Sequence, residues 1–328
     1  MALDLQKVLE QFAQLKVLVV GDIMLDSYIQ GKVERVSPEA PVPIVNVQQK
    51  EHRLGGAANV ALNIKSLGAE PILCGLVGGD EPSKQILRLL DNKDMHKTGI
   101  VSSASRRTTV KTRVICSRQQ LLRFDEEDTH PMIESESAQL KSAIEDILPT
   151  CQAVIFEDYD KGCLDEGLIQ WMIDLAQSRN IPTIVDPKDH NFGAYREVTL
   201  LKPNLKELVQ ALGRPLDTVD SEHLAAAASE LHGKLAFQSL LVTLSEYGAF
   251  YWKDGAFEII DAHRREIADV SGAGDTVVAV AGLAAAIGLP IANVTQLANL
   301  AGGIVCEHAG VVPLDARAFL EEFRRYYS

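Results

Sequence analysis

Two hydrophobic periods alternate along this chain. Short apolar runs closed by turn residues recur at Val17–Val20, Ile72–Val77, Ala153–Phe156, Thr183–Val185, Thr199–Leu201 and Leu240–Leu244, which is the length and setting of buried strands. Between them apolar positions fall at helical spacing over Ala57–Leu67, Ser83–Leu90, Glu136–Leu148, Glu166–Ser178, Asn204–Leu212 and Ser221–His232. Parallel strands need a crossover long enough to hold a helix, so this alternation predicts an α/β fold: a mostly parallel central sheet covered by helices on both faces.

Two early stretches break the rhythm. In Tyr28–Val47 and Thr108–Arg123 β-branched residues alternate with charged ones, which predicts antiparallel strands exposed on one face. They read as a small lid inserted at about 28–47 and 108–123 into a single domain spanning 1–328. The N-terminal stretch predicts a short amphipathic helix, and Ile291–His308 and Asp315–Tyr326 predict the last two. The Ala-rich run Thr276–Leu289 falls short of the roughly 18 apolar residues a membrane span needs and predicts a buried core helix.

Composition narrows the partners. With 46% hydrophobic and 23% charged residues the chain is expected to fold as a globular protein, and 328 residues suffice for a large core. A net charge of −13 repels nucleic acid and anionic membrane, so an anionic ligand requires a local group of Lys and Arg. Five cysteines, odd in number and without CxxC spacing, predict buried thiols in a reducing cytoplasm.

The strongest chemical signal is Asp269-Val270-Ser271-Gly272-Ala273-Gly274-Asp275-Thr276, followed by the apolar helix Val277–Ile287. Small residues at a helix N-terminus leave backbone N–H groups free to hold a phosphate. Asp275 beside it is placed to accept a proton from an attacking hydroxyl; a plain helix cap and turn is the competing reading. Leu54-Gly55-Gly56-Ala57-Ala58-Asn59 opens a helix with a glycine pair that allows close ligand approach and an Asn suited to sugar hydroxyls, or else forms an ordinary loop-to-helix junction. Asp22 and Asp26 follow the first strand on the edge where ligands bind in open α/β sheets. Asn204 and Glu207 are spaced either for a capping box or for a hydrated magnesium ion near a nucleotide. Thr243-Leu244-Ser245-Glu246-Tyr247-Gly248 ends a strand in a polar turn, a phosphate site or simply a hairpin.

With these pieces in this order the chain resembles the ribokinase-like, or PfkB-type, sugar kinases, whose signatures correspond to Gly55–Asn59 and Gly272–Asp275. The segments Gly21–Asp26, Ser37–Pro43, Gln119–Arg123, Asp158–Gly162 and Asp186–Lys188 are similar to those of the heptose 7-phosphate kinases of lipopolysaccharide-precursor synthesis, and the resemblance runs from about Val17 to about Gly310. It implies the ribokinase-like fold, ATP and Mg²⁺, and phosphorylation of D-glycero-D-manno-heptose 7-phosphate at its anomeric hydroxyl. It also implies that the nucleotidyltransferase domain fused to many relatives is supplied by another protein.

By motif, Asp275 is then the base and Gly272, Ala273 and Gly274 the anion hole. Asn204, Leu205, Lys206, Glu207, Thr243, Ser245, Glu246 and Gly248 contact the nucleotide, with Asn204 and Glu207 reaching magnesium through water. Asp22, Asp26, Gly55, Gly56, Asn59, Arg113, Gln120, Lys161, Asp186 and Lys188 face the sugar phosphate. Among Arg53, Lys111, Arg113, Lys161 and Lys188, the choices for the substrate's own phosphate are Lys188, beyond a strand end, and Arg113, reaching down from the lid. Apolar side chains on the lid strands, among them Ile29, Val33, Val36 and Val42, predict a homodimer in which two lids pair. A kinase of another sugar and a non-catalytic nucleotide- or sugar-binding regulator remain the alternatives.

Overall fold

The computed structural model describes residues 3–116, 119–216, 218 and 220–327; Ser117 and Arg118, within the predicted lid, lie outside the described residues. In chain order the elements are α1 (Leu5–Phe12), β1 (Lys16–Gly21), β2 (Ile23–Val36), β3 (Pro43–Gly56), α2 (Ala57–Ser66), β4 (Glu70–Gly78), α3 (Glu81–Asp91), β5 (His96–Ser103), β6 (Thr109–Cys116), β7 (Gln119–Glu126) and α4 (Glu134–Ile147). There follow β8 (Ala153–Glu157), α5 (Glu166–Gln177), β9 (Thr183–Asp186), β10 (Leu200–Leu201), α6 (Leu205–Leu212), α7 (Ser221–Leu235), β11 (Ser239–Thr243), β12 (Ala249–Lys253), β13 (Ala256–Ile260), α8 (Ala273–Ala286), α9 (Ile291–Val305) and α10 (Ala316–Tyr327).

The main sheet has the order β13-β12-β11-β10-β9-β8-β1-β4-β5 and is parallel except for the edge hairpin β12–β13 and its pairing to β11. Along β1, Val17 and Val19 pack with α1, α2, α8, α9 and α10, whereas Leu18 and Val20 pack with α4, α5, α6 and α7. Burial on both faces is why these strands read as continuous apolar runs rather than alternating ones. The Ala-rich helix α8 is buried from Asp275 to Ala284, packed between the sheet, α2 and α9, and its small side chains permit that close approach.

The lid is a second sheet of order β3-β2-β6-β7. Its strands extend beyond the predicted limits, back to Ile23 and on to Gly56 and Glu126. The expectation of wholly antiparallel strands is corrected: β2 and β6 run parallel, because β6 arrives after the β4–α3–β5 excursion rather than by a hairpin. Since β2 follows β1 after Asp22 alone, the root of the lid is tied to the edge of the main sheet where parallel strands end. The lid's outer side leaves Val36, Val42, Leu122 and Phe124 exposed. The strands β5 and β13 and the helical start at Ala273, upstream of the predicted Val277, went unread because polar residues interrupt their apolar pattern; β12 went unread although its apolar and aromatic run Ala249–Trp252 carried a strand signal.

Candidate active site

The parallel strands deliver their C-terminal residues to one edge: Asp22 after β1, Glu157, Asp158 and Tyr159 at the end of β8, Asp186 at the end of β9, and Lys202 after β10. A cleft of about 1030 Å³ opens along this edge, and Gly272, Ala273, Gly274 and Asp275 at the start of α8 form part of its wall. Gly272 caps the helix with φ of +78°, a left-handed conformation natural to glycine, and a Cβ there would stand 3.0 Å from Asn59 Nδ2. The Ala273 N–H turns back to Val270 O at 3.2 Å. Gly274 and Asp275, in the first turn, present N–H groups for which the helix itself provides no acceptor, at its positive dipole end.

Asp275 is 3% exposed and held from two sides. Asn59 Nδ2 donates to its Oδ2 and the Tyr159 hydroxyl to its Oδ1, each at 2.7 Å. Burial raises its carboxyl above the usual range, while those two hydrogen bonds oppose the rise by stabilising the charged form. The result is a carboxylate fixed in orientation beside a helix start with open N–H donors, the arrangement a general base requires.

On the lid side, register places Asp26 opposite Lys111 and Tyr28 opposite Arg113. Arg113 forms a buried ion pair with Asp26, whose charge holds the guanidinium above its ordinary value although burial works the other way. Gly55 makes room for this pair: a Cβ there would lie 2.4 Å from Asp26 Oδ2. Arg53 is committed to Glu51 at 2.7 Å and to the carbonyls of Ala309 and Val311, and Lys161 to Glu127 at 2.8 Å. Lys111 differs. Among the described residues it makes no ion pair; its Nζ lies 4.5 Å from the centroid of the Tyr159 ring, and burial lowers its pKa.

Opposite the lid, Asn204 caps α6 in a reciprocal box: its Oδ1 accepts from Glu207 N at 2.9 Å, and Glu207 accepts from Asn204 N at 2.8 Å. The second Glu207 oxygen accepts from Lys188. Lys188 is pushed upward by the carboxylates of Asp186 and Glu207 against the effect of its burial. Lys202, 2% exposed, pairs with Asp186 at 2.8 Å; burial nevertheless raises Asp186 to about 6. Thr243, Ser245, Glu246 and Gly248 line the cleft where β11 turns into β12, so the predicted turn is at once a hairpin and a cleft wall.

Several expected contacts are not brought together. Asp22 lies outside the cleft lining, as do Asp26, Gly55, Gly56, Asn59, Arg113 and Lys161. The Asp22 Oδ2 accepts from the backbone N–H of Tyr159 at 2.8 Å and Lys161 at 3.1 Å, and its Oδ1 from Cys163 at 3.2 Å. Burial and the neighbouring Asp158 raise it to about 6. Leu205 packs on the core, Lys206 points to solvent, and Gln120 is exposed on the lid's outer strand. Both cations chosen for a substrate phosphate, Lys188 and Arg113, already hold an acid.

Sequence reasoning missed Tyr159, Glu157, Lys202 and the wall formed by His263 and Arg265. Lys202 and Glu157 carried a legible signal, since each ends or follows a parallel strand. Arg265 did not: it joins the cleft through ion pairs to Glu307 at 2.8 Å and Glu322 at 2.6 Å, contacts made across 42 and 57 residues. All five cysteines are buried and unpaired, and no described helix is long and apolar enough to cross a membrane.

Comparison with known proteins bears on this geometry. The family described as pfkB family carbohydrate kinase matches residues 14–317. The chain is 42% identical over 304 residues to the D-beta-D-heptose 7-phosphate kinase of Bordetella bronchiseptica, covering 92% of this chain and 94% of that protein. It is 37% identical over 308 residues to the bifunctional protein HldE of Syntrophotalea carbinolica, where it covers 94% of this chain but only 62% of the relative's length. Among solved structures, phosphofructokinase-2 of Escherichia coli in complex with potassium superposes with a TM-score of 0.78 at 21% identity, covering 96% of this chain and 99% of that one.

Proposed function

The chain belongs to the pfkB family of carbohydrate kinases, and from that premise we propose that it transfers the γ-phosphoryl group of ATP to the anomeric hydroxyl of D-glycero-D-manno-heptose 7-phosphate. The products are the 1,7-bisphosphate and ADP, a step towards the heptose precursor of lipopolysaccharide. The observation that carries the reaction type is Asp275, buried, oriented by Asn59 and Tyr159, and set beside open helix N–H donors on the cleft wall. The heptose phosphate rests on the 42% identity to a kinase of that name along nearly its whole length.

In this reading the sugar hydroxyl loses its proton to Asp275 as its oxygen attacks the γ-phosphorus, and the bond to the ADP oxygen breaks. The N–H groups of Gly274 and Asp275, with the dipole of α8, receive charge on the transferring group. Lys188 and Lys202 offset the carboxylates of Glu207 and Asp186 at the nucleotide side. Asp26, fixed by Arg113, and Asn59 face the sugar from the lid root, with Gly55 and Gly56 allowing its approach. Asp22 acts at one remove by holding the loop that carries Tyr159.

The residues fit a hydrated magnesium ion. Both Glu207 oxygens accept a hydrogen bond, yet a carboxylate has about four lone-pair sites, so capacity remains for metal-bound water. Asn204 and Glu207 would hold such an ion through water, and it would neutralise charge on the ATP phosphates when bound. The 7-phosphate is assigned to Lys111, a half-buried lid cation that makes no ion pair among the described residues and lies beside Tyr159, rather than to Lys188 or Arg113, which each hold an acid. The exposed Val36, Val42, Leu122 and Phe124 support two lids pairing in a homodimer.

The test is a panel of sugar phosphates and free sugars with ATP, the products identified by NMR. Phosphorylation of the heptose 7-phosphate at its anomeric carbon, in preference to other sugar phosphates, is expected; equal use of unphosphorylated sugars would reject the proposal.

A further inference from the structure

We propose that Tyr159 is a positioning residue for catalysis, one that locks the Asp275 carboxylate into the orientation in which it accepts the substrate's proton and links that orientation to the lid. The inference rests on the kinase reading and adds a residue that the family's glycine and aspartate signatures do not contain.

Three observations converge on this side chain. First, its hydroxyl donates to Asp275 Oδ1 at 2.7 Å, while Asn59 holds the other oxygen at 2.7 Å, so both carboxylate oxygens are pinned by neutral donors rather than by a cation. A cation there would depress the base; neutral donors orient it while leaving it able to take a proton. Second, the loop bearing Tyr159 is not free to choose its place. Three of its backbone N–H groups, those of Tyr159, Lys161 and Cys163, are gathered by the single buried carboxylate of Asp22. Third, the ring is faced from two elements: Lys111 Nζ of β6 lies 4.5 Å from its centroid and Lys188 Nζ, beyond β9, lies 5.5 Å away. A lid strand and the main sheet thus share one aromatic plane, and a substrate anion that draws Lys111 changes the contact on the ring whose hydroxyl holds the base.

The groups that face Asp275 from the surrounding elements are Asp26 on β2, Asn59 on α2, Lys111 on β6, Glu157 at the end of β8, Asp186 at the end of β9, and Tyr159 itself. Against the carboxylates in that set, each donated hydrogen bond favours the ionised base. Removing the phenol must therefore raise the proton affinity of Asp275.

The experiment is Tyr159→Phe, which keeps the ring and removes only the hydroxyl, with kcat and kcat/KM measured against pH for the full chain and Asp275→Asn as the reference for loss of the base. A hydrogen bond to a charged group is worth about 1.5–3 kcal/mol, so the acid limb of kcat/KM should move up by about one to two pH units. At a pH below that limb kcat/KM should fall roughly ten- to hundredfold, with the KM for ATP within about twofold of wild type. An acid limb that stays in place overturns the proposal whatever the rate does, since a merely structural ring would lower activity uniformly. Should the Phe variant fail to fold, incorporation of 3-fluorotyrosine keeps the shape and strengthens the donor; the limb should then move to lower pH, and an unmoved limb overturns the inference. Wild-type protein without kinase activity would instead reject the kinase reading, and the two failures are distinguishable.

Discussion

Replacing Asp275 by Asn tests the assignment of the base while leaving the packing almost untouched. The carboxylate accepts from Asn59 Nδ2 and from the Tyr159 hydroxyl, each at 2.7 Å. An asparagine can turn its carbonyl oxygen towards Asn59 and its amide towards Tyr159, whose hydroxyl rotates from donor to acceptor, so both contacts survive. Proton acceptance does not. Loss of a general base costs about 10²–10⁴-fold in turnover, or roughly 3–5 kcal/mol of barrier. Burial raises the pKa of Asp275, so its ionised form carries a stability cost that is absent below the unfolded value of 3.8, grows as the pH climbs through the folded value, and is complete above it. The neutral variant escapes that cost, so its Tm relative to wild type should rise between pH 4 and pH 8. The assay is steady-state ADP release with heptose 7-phosphate, paired with thermal unfolding at several pH values. Turnover within about tenfold of wild type would refute the role of Asp275, and a Tm difference that falls with pH would refute the reading of its burial.

Three further outcomes follow from the same geometry. Lys111→Met should weaken use of the phosphorylated sugar about ten- to hundredfold relative to its unphosphorylated form, the span of one charge-assisted hydrogen bond, with the KM for ATP unchanged; an undiminished preference would return the phosphate to another cation. Gly55→Ala puts a methyl 2.4 Å from Asp26 Oδ2 and 2.9 Å from Met24 Cγ, so it should disturb the Asp26–Arg113 pair, raise the sugar KM and lower stability by about 1–3 kcal/mol, as calorimetry and kinetics can check. Light scattering at micromolar concentration should find a dimer, and Leu122→Glu, on the exposed side of the lid, should convert it to monomer; a monomeric wild type would contradict lid pairing.

The succession of strands and helices, and with it the α/β class, was determined by the sequence alone. Burial on both faces of the central strands forces continuous apolar runs, and the crossovers between them force amphipathic helices, so local composition carries the topology. Gly272–Asp275 and Gly55–Asn59 were legible for a related reason: a helix start that opens its N–H donors to a cleft and a close backbone approach each demand small residues at fixed spacing. The extent of the lid and the parallel pairing of β2 with β6 were not, because register between strands some 85 residues apart leaves no local trace. The state of the charges was hidden as well. Lys111, Arg113, Lys161 and Lys188 look alike as letters in the chain, and only the tertiary structure gives Asp26, Glu127 and Glu207 to three of them while leaving Lys111 facing an aromatic ring. Tyr159 is the sharpest case: its meaning lies in a hydrogen bond to a residue 116 positions away, held by a loop that Asp22 organises from 137 positions away. Sequence determines which chemistry is available through local pattern; which groups are free, paired or aimed depends on long-range contacts, whose energies no local pattern encodes.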